Sequence, residues 1–441
     1  MSVCRSLWIG ILVAGLGGVA AAAAGNECPQ FRGPGGSGIS QSTKAPAEWD
    51  ETKNVAWRVD VPGLGWSSPI VWGNRVFLTT AVNTLGTEEP APGFYLGRSR
   101  GGKGEHRWLV LAYDLTTGEK RWEREVHKAV PKPIHLKSSY ASATPVTDGK
   151  RVYAWFGGLG VFVALNAADG AEAWSFSEPP RKSRSDWGFG ASPVMHGGRI
   201  YLVHDNEEDA YVAAFDAATG KEIWRVKRPP ETNWSTPLVW ENKERTELVV
   251  SATGGIKSYD LEGKPLWELR GMTSITVANP LTANGLLYVG SGFVADPQKP
   301  LYAIRPGASG DISLKDGETG NEYIAWCQKH AAPYIPSFLV GGKYLYVLKD
   351  GGQLACYDAV TGTLVYGKRL GGHFTASAWM CGDKLFFLNE HGETYVVQAG
   401  PEFKLLAKNL LEPYCLATPA VAGDRLLIRT SSRLYCIGSG K

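Results

Sequence analysis

Charge is scarce in this chain. Asp, Glu, Lys and Arg make up 20% of its 441 residues and the formal net charge is only +3, against roughly a quarter charged residues in an ordinary soluble domain. No basic block stands out, so nothing argues for a nucleic-acid partner. Cysteines never sit side by side, and no CxxC pair or His/Cys spacing marks a zinc site. No long amphipathic pattern predicts a helix. The glycine-rich stretch Gln30–Gly38 (QFRGPGGSG) lacks the Lys-Ser/Thr ending and following helix of a phosphate loop. Neither a Ser/His/Asp triad nor a confined carboxylate pair can be located, which leaves a hydrolase or lyase without its machinery.

What the chain does have is a repeat. Tyr113 to Trp122 reads YDLTTGEKRW, and the phrase returns at Leu165–Trp174, Phe215–Trp224, Tyr259–Trp267 and Tyr357–Tyr366. Asp or Asn opens each turn because its side chain can bond backbone two residues on. Gly near the end supplies the positive φ of a tight hairpin. The aromatic that follows keeps a near-fixed offset. Upstream of each hairpin lies a small-small-Pro-apolar approach, as at Ser67-Ser68-Pro69-Ile70 and Thr144-Pro145-Val146, with further copies at Ser192, Thr236, Asn279, Ser337, Ser377 and Thr418. Approach plus hairpin makes about four strands, and such units spaced by roughly 40 to 50 residues are propeller blades. The expected fold is all-β, an eight-bladed β-propeller over residues 54–438. Its last copy, Arg433 to Ile437, lacks a final strand, and Val55–Val59 is a strand without a blade. Pairing the two closes the ring and removes two open edges, with Trp57 in the aromatic position.

The first residues read as a leader: Arg5, an apolar Leu7 to Leu16, and small residues Ala20–Ala24 for cleavage near Ala24 or Gly25. A signal peptide over 1–25 implies a periplasmic or secreted protein with no membrane span. Gly25-Asn26-Glu27 before Cys28 does not suit a lipid anchor. Residues 26–53 form a Pro/Gly/Ser-rich lead-in, expected to lie as an extended strap along the propeller. Besides Cys4 in the leader there are six cysteines. Cys356 and Cys436 align with a column of small residues (Ala112, Ala164, Ala214, Ser258, Ala303) and read as small buried hydrophobes. Pairings among Cys28, Cys327, Cys381 and Cys415 are not legible.

Three insertions interrupt the blades: Ala81 to Arg107, Gly290 to Pro300 and Arg305 to Tyr323. In a four-stranded blade the turns between strands one and two and between three and four share one face, while the other links share the opposite face. All but the third insertion fall on that opposite face, and loops on a rigid scaffold carry function. The approaches bring Trp66, Tyr140, Trp187, Phe189, Trp234, Tyr334, Phe374 and Tyr414 there, with His135, Lys137, His204, Asp205, Asn206 and His373 as polar companions. Aromatics around a funnel mouth can stack a flat cofactor, a sugar or a peptide; packing between blades is the competing role for each one. The repeated Trp122, Trp174, Trp224, Trp267 and Trp326 read as core. The acidic run His204–Asp209 offers oxygen ligands for calcium but lacks EF-hand spacing.

The recurring Ala-x-Asp-x-x-Thr-Gly-x-x-x-Trp pattern resembles the tryptophan-docking repeat of the pyrroloquinoline-quinone (PQQ)-like propeller superfamily, over nearly all of 54–437. The opening Gln30-Phe-Arg-Gly-Pro, with Gly65-Trp-Ser-Ser-Pro69 and His135–Ser142, is similar to exported bacterial PQQ-like repeat proteins. The resemblance implies a quinoprotein alcohol dehydrogenase-like fold whose repeated aromatics pack against adjacent blades. It also implies two functional classes. One is the PQQ- and calcium-dependent dehydrogenase, with calcium held by Glu, Asn and Asp and often a disulfide between adjacent cysteines. The other binds proteins through its loops and carries no cofactor, like the propeller lipoprotein of outer-membrane assembly. The expectation taken forward is a monomeric, non-catalytic scaffold for an envelope protein, peptide or glycan, with the PQQ/calcium oxidoreductase as its alternative.

Overall fold

The computed structural model describes residues 27–438 apart from 41, 43, 87, 90 and 94–97; the expected leader lies outside them. The described residues form eight radial sheets of four antiparallel strands. The innermost strands, from Ile70–Trp72 in blade one to Ala420–Ala422 in blade eight, are two to four residues long. Crowding at the axis leaves room for little more. The final blade takes its outer strand from the start of the fold: Val55–Asp60 pairs antiparallel with Arg433–Ile437, Val59 opposite Leu434 and Trp57 opposite Cys436. Nearly all the core lies between sheets, where apolar side chains of one blade face those of the next.

The repeated turn works as its residues predict. Asp114 Oδ1 accepts the amides of Thr116 and Thr117 at 2.8 and 3.0 Å, and Asp358 Oδ1 those of Val360 and Thr361. Just before each turn the pairing slips by one residue, as between Ala164 and Leu165 and between Ala214 and Phe215. Such a bulge re-aims the side chain that follows, and here it swings the tryptophan toward the neighbouring blade. The indole N–H groups of Trp57, Trp122, Trp174, Trp224 and Trp326 donate to Leu115, Ala167, Ala217, Leu261 and Ala359 O at 2.9–3.1 Å, each acceptor lying in the next blade's turn. Trp57, Trp267 and Trp326 are buried; the other three are half-buried but roofed by the next blade.

Trp267 departs from the pattern. The turn it would reach is replaced by the insertion Arg305 to Tyr323, of which Gly310–Asp311 pairs in parallel with blade four's outer strand. Its indole donates instead to the buried Glu247 carboxylate at 2.6 Å. The first insertion is shorter than its sequence limits, because blade one's middle strands run on through Asn83 and resume at His106. The six described cysteines are all buried and unpaired, with Cys356 and Cys436 opposite the aromatics Tyr366 and Trp57 in the small-residue column.

The lead-in does more than strap. Cys28 exchanges both backbone bonds with Val71 in blade one, and Pro29 O accepts from Thr147 in blade two. Arg32 reaches Phe338 O at 2.7 Å in blade six, and Ile39–Ser40 pairs with Met380 and Cys381 in blade seven. The segment therefore crosses the central channel and plugs it. Beyond the plug Trp49 inserts between blades seven and eight, stacked on Phe386.

Candidate functional site

Above the plug the axis opens into a cup of about 250 Å³ on the face that carries the interblade links. Seven of the residues singled out in the sequence line it: Trp66, His135, Lys137, Trp187, Phe189, Trp234 and Tyr334. The rings are held from behind. Trp66 Nε1 donates to Lys137 O and Trp234 Nε1 to Gly188 O, both at 2.9 Å, so each indole is tied to an adjacent approach. All three tryptophans stay half-buried, Trp187 tilted against Trp234 at 5.9 Å between centroids and edge-on to His135 at 5.7 Å. A ring anchored through its N–H keeps its face for a ligand at little entropic cost.

The other seven stand elsewhere, Asn206 among them, buried with its Nδ2 on His204 O and Asp209 O. Tyr140 packs edge-on against His106 and Trp108 beside the neighbouring interblade cleft. His204 is buried among Trp155, Phe189 and Tyr211, its Nδ1 2.9 Å from Glu178. Asp205 is buried in a two-pronged pair with Arg228 at 2.7 and 3.0 Å. Phe374 lies wholly in the core beside Tyr395, and His373 is exposed. All of these side chains but His373 pack within or between the blades. Tyr414, also named in the sequence, packs edge-on against His391 at 5.7 Å.

Sequence reasoning missed the cup's floor and its one buried ion pair. Phe31 of the plug, Phe293 and Thr375 line the cup. Glu390, fully buried in the link between blade seven's middle strands, pairs with Lys137 from the approach to blade two. It also accepts from Thr375 Oγ1 at 2.7 Å and from the Gly93 amide at 2.6 Å, so the first insertion is tied across the mouth. Asp350 occupies the matching link in blade six. It accepts the amides of Tyr334 and Ile335, and burial pushes its carboxyl up to about 6. Only a carboxylate at the same place in both links hinted at this in the sequence.

Around the floor runs a belt of side chains. The amides of Ser68, Thr144 and Ser192 donate to Thr144 Oγ1, Ser192 Oγ and Thr236 Oγ1 at 2.9–3.0 Å. Thr236 continues to Asn279 Oδ1, then Asn279 to Ser337, Ser337 to Ser377 and Ser377 to Thr418, at 2.9–3.1 Å. The residues noted as small approaches to each innermost strand thus clasp blade to blade. The last link, Thr418 to Ser68, is not made among the described residues, and Ser68 Oγ is buried without a partner. At that seam Arg429, 1% exposed, holds Ser67 Oγ and Thr79 O at 2.8 Å instead.

Among the described residues no three His, Cys, Asp or Glu side chains gather as metal ligands. The carboxylates of the 204–209 run face different ways: Asp205 to Arg228, Glu207 to Thr232, Glu208 to the Lys182 amide. Behind the cup wall Glu390 is already engaged by Lys137, Thr375 and the Gly93 amide. The residues present do not fit the calcium that would accompany PQQ, and no step through that pair follows from them. Among the described residues no helix is long and apolar enough to cross a membrane.

A protein-family model described as outer membrane protein assembly factor BamB matches residues 158–323 and 308–412. No curated protein matches the chain. Among solved structures, BamB from Moraxella catarrhalis superposes with a TM-score of 0.57 at 11% identity, covering 87% of this chain and 99% of its own. A quinohemoprotein alcohol dehydrogenase from Comamonas testosteroni gives 0.59 at 13%, covering 96% and 82%. A computationally designed protein, Ika8, gives 0.56 at 11%, covering 91% and 100%. An assembly factor, an oxidoreductase and a designed ring thus share one fold, which by itself selects no activity.

Proposed function

The chain belongs to the PQQ-like repeat propeller family, whose matching description is that of the assembly factor BamB, and on that footing we propose that it is an exported, monomeric binding module of the cell envelope. Its ligand is a segment of an envelope protein, a peptide or a glycan, taken in the axial cup, and it performs no chemistry on it. One observation carries the reading: the cup is a blind, aromatic-walled recess whose Trp66 and Trp234 indoles are fixed, and Glu390 behind its wall is locked to Lys137 rather than free for acid–base work. The BamB name and likeness support an envelope location.

The test titrates purified mature chain against peptide and oligosaccharide panels. Saturable binding is expected, weakened at least tenfold in Trp66→Ala and Trp234→Ala with folding intact. In parallel, PQQ and calcium are titrated with dye reduction on simple alcohols and sugars. Saturable PQQ uptake with turnover overturns the non-catalytic reading.

A further inference from the structure

We propose that the cup holds the neutral end of a glycan: a terminal hexopyranose whose C–H face stacks on the anchored indoles while its hydroxyls pair with the belt. The inference deepens the binding-module reading and rests on it. It begins from the belt. Thr144, Ser192, Thr236, Ser337, Ser377 and Thr418 each accept a neighbour's backbone N–H on the hydroxyl oxygen. A hydroxyl has one proton and two lone pairs, so each keeps the proton and one lone pair, and none of the six donates to a protein acceptor among the described residues. Asn279 likewise accepts on Oδ1 and leaves its amide NH₂ unspent. All seven line the cup. The belt therefore favours neither sign of charge and offers a donor beside an acceptor, repeated from blade to blade. A sugar hydroxyl is the same group, donating and accepting through one atom, and it can meet a belt hydroxyl in either direction.

A second observation is the charge of the lining. Among the described residues no Asp, Glu or Arg lines the cup. Lys137 is paired with Glu390, and His135 Nδ1 accepts the Lys137 amide at 3.2 Å, a bond that a protonated Nδ1 could not take. A ligand carrying a carboxylate or phosphate would bury its charge here uncompensated, at far greater cost than a neutral polar group with partners. Shape is the third observation. Phe31 of the plug closes the floor, so a chain enters by an end or a bend. A peptide end is charged, whereas the non-reducing end of a neutral glycan is not. That end is also a ring with a face of C–H groups, which suits the negative face of an indole. Trp66 and Trp234 have spent their N–H groups behind the wall, and Trp187 lies tilted against Trp234. The sugar's hydroxyls reproduce the bonds water makes to the belt, and its C–H face displaces water that apolar walls hold loosely. The first exchange is nearly neutral and the second is favourable.

The probes, titrated into the intact mature chain by calorimetry, are the methyl pyranosides of glucose, galactose, mannose and N-acetylglucosamine. The methyl glycosides of glucuronic and N-acetylneuraminic acids serve as charged counterparts. At least one neutral glycoside is expected to saturate, about tenfold or more tighter than either acid. Oligosaccharides ending in that sugar should bind at least as tightly, and those carrying it only internally about tenfold or more weaker. Trp234→Ala should weaken the neutral glycoside about tenfold. Thr236→Val removes a belt hydroxyl at nearly constant shape and should weaken it about threefold or more, with Thr236→Ser restoring it. The comparisons among probes need only the unaltered chain, should a variant misfold. An acid binding as tightly as the neutral sugars overturns the neutral site. Peptides saturating the cup while no neutral glycoside does overturns the glycan and leaves the cup as a binding site. Saturation by neither sugars nor peptides overturns both.

Discussion

Gly118 of blade one lies against the indole of Trp57, which belongs to the strand that closes blade eight. A Cβ on Gly118 would come within 2.7 Å of the ring, and φ there is +75°. Gly170, Gly220, Gly263 and Gly362 meet Trp122, Trp174, Trp224 and Trp326 in the same way. The turn's glycine thus has two duties: it supplies the backbone conformation, and it lets the ring close down on the next blade. Gly118→Ala should cost about 2 kcal/mol or more, beyond the roughly 1 kcal/mol of strain alone. Gly197→Ala, at φ +57° with open space around it, should show the strain alone. Denaturant midpoints of the two variants make the comparison.

Trp267 should depend on Glu247 as its five counterparts depend on a backbone carbonyl. Glu247 takes bonds from Trp267 Nε1, Ser258 Oγ and Asn242 Nδ2 at 2.6, 2.5 and 3.1 Å. Glu247→Ala leaves the buried Trp267 and Ser258 donors unmatched, for a loss of about 3 kcal/mol. Glu247→Gln, which keeps an acceptor, should lose clearly less. Equilibrium unfolding of both variants checks the order.

Lys137 and Glu390 should couple. Removing either leaves a buried charge alone, at about 3 kcal/mol each, whereas the double replacement Lys137→Met with Glu390→Leu should cost much less than their sum. Glu390→Leu should also release the Gly93 amide and speed proteolysis within residues 84–105. A double-mutant cycle with limited proteolysis reads both effects.

Stability should rise as pH falls from about 6 to about 4, through Asp350. Burial raises its folded-state carboxyl to about 6, from 3.8, so in that window the folded protein holds a proton that the unfolded chain has released. Folding is favoured where the native state binds more protons, and the gain is lost as pH climbs through 6. The span corresponds to roughly 2–3 kcal/mol. Asp350→Asn should remove this component of the pH profile, measured as unfolding midpoints against pH.

The repeat alone makes the ring legible. Hydrogen-bonding chemistry at Asp114 and Asp358, a glycine at fixed offset and an aromatic behind it are local properties, and eight copies with complementary ends allow one closed arrangement. Val55 to Asp60 could find its partner in Arg433 to Ile437 because each lacked what the other had. Local pattern could also place Trp66, Trp187 and Trp234 on the linking face. What it could not supply was anything that depends on residues far apart meeting at the axis. Gln30 to Ile39 carries no repeat, so only the assembled channel shows it as a plug. Lys137 and Glu390 are separated by most of the ring, and His204 and Asp205 turn inward because Glu178 and Arg228 wait there. The serines and threonines before each innermost strand read in the sequence only as small residues of a repeated approach. Their hydroxyls become a belt only once eight blades set them side by side, because a donor's direction is fixed by its neighbour across the interface and not by its neighbour in the chain.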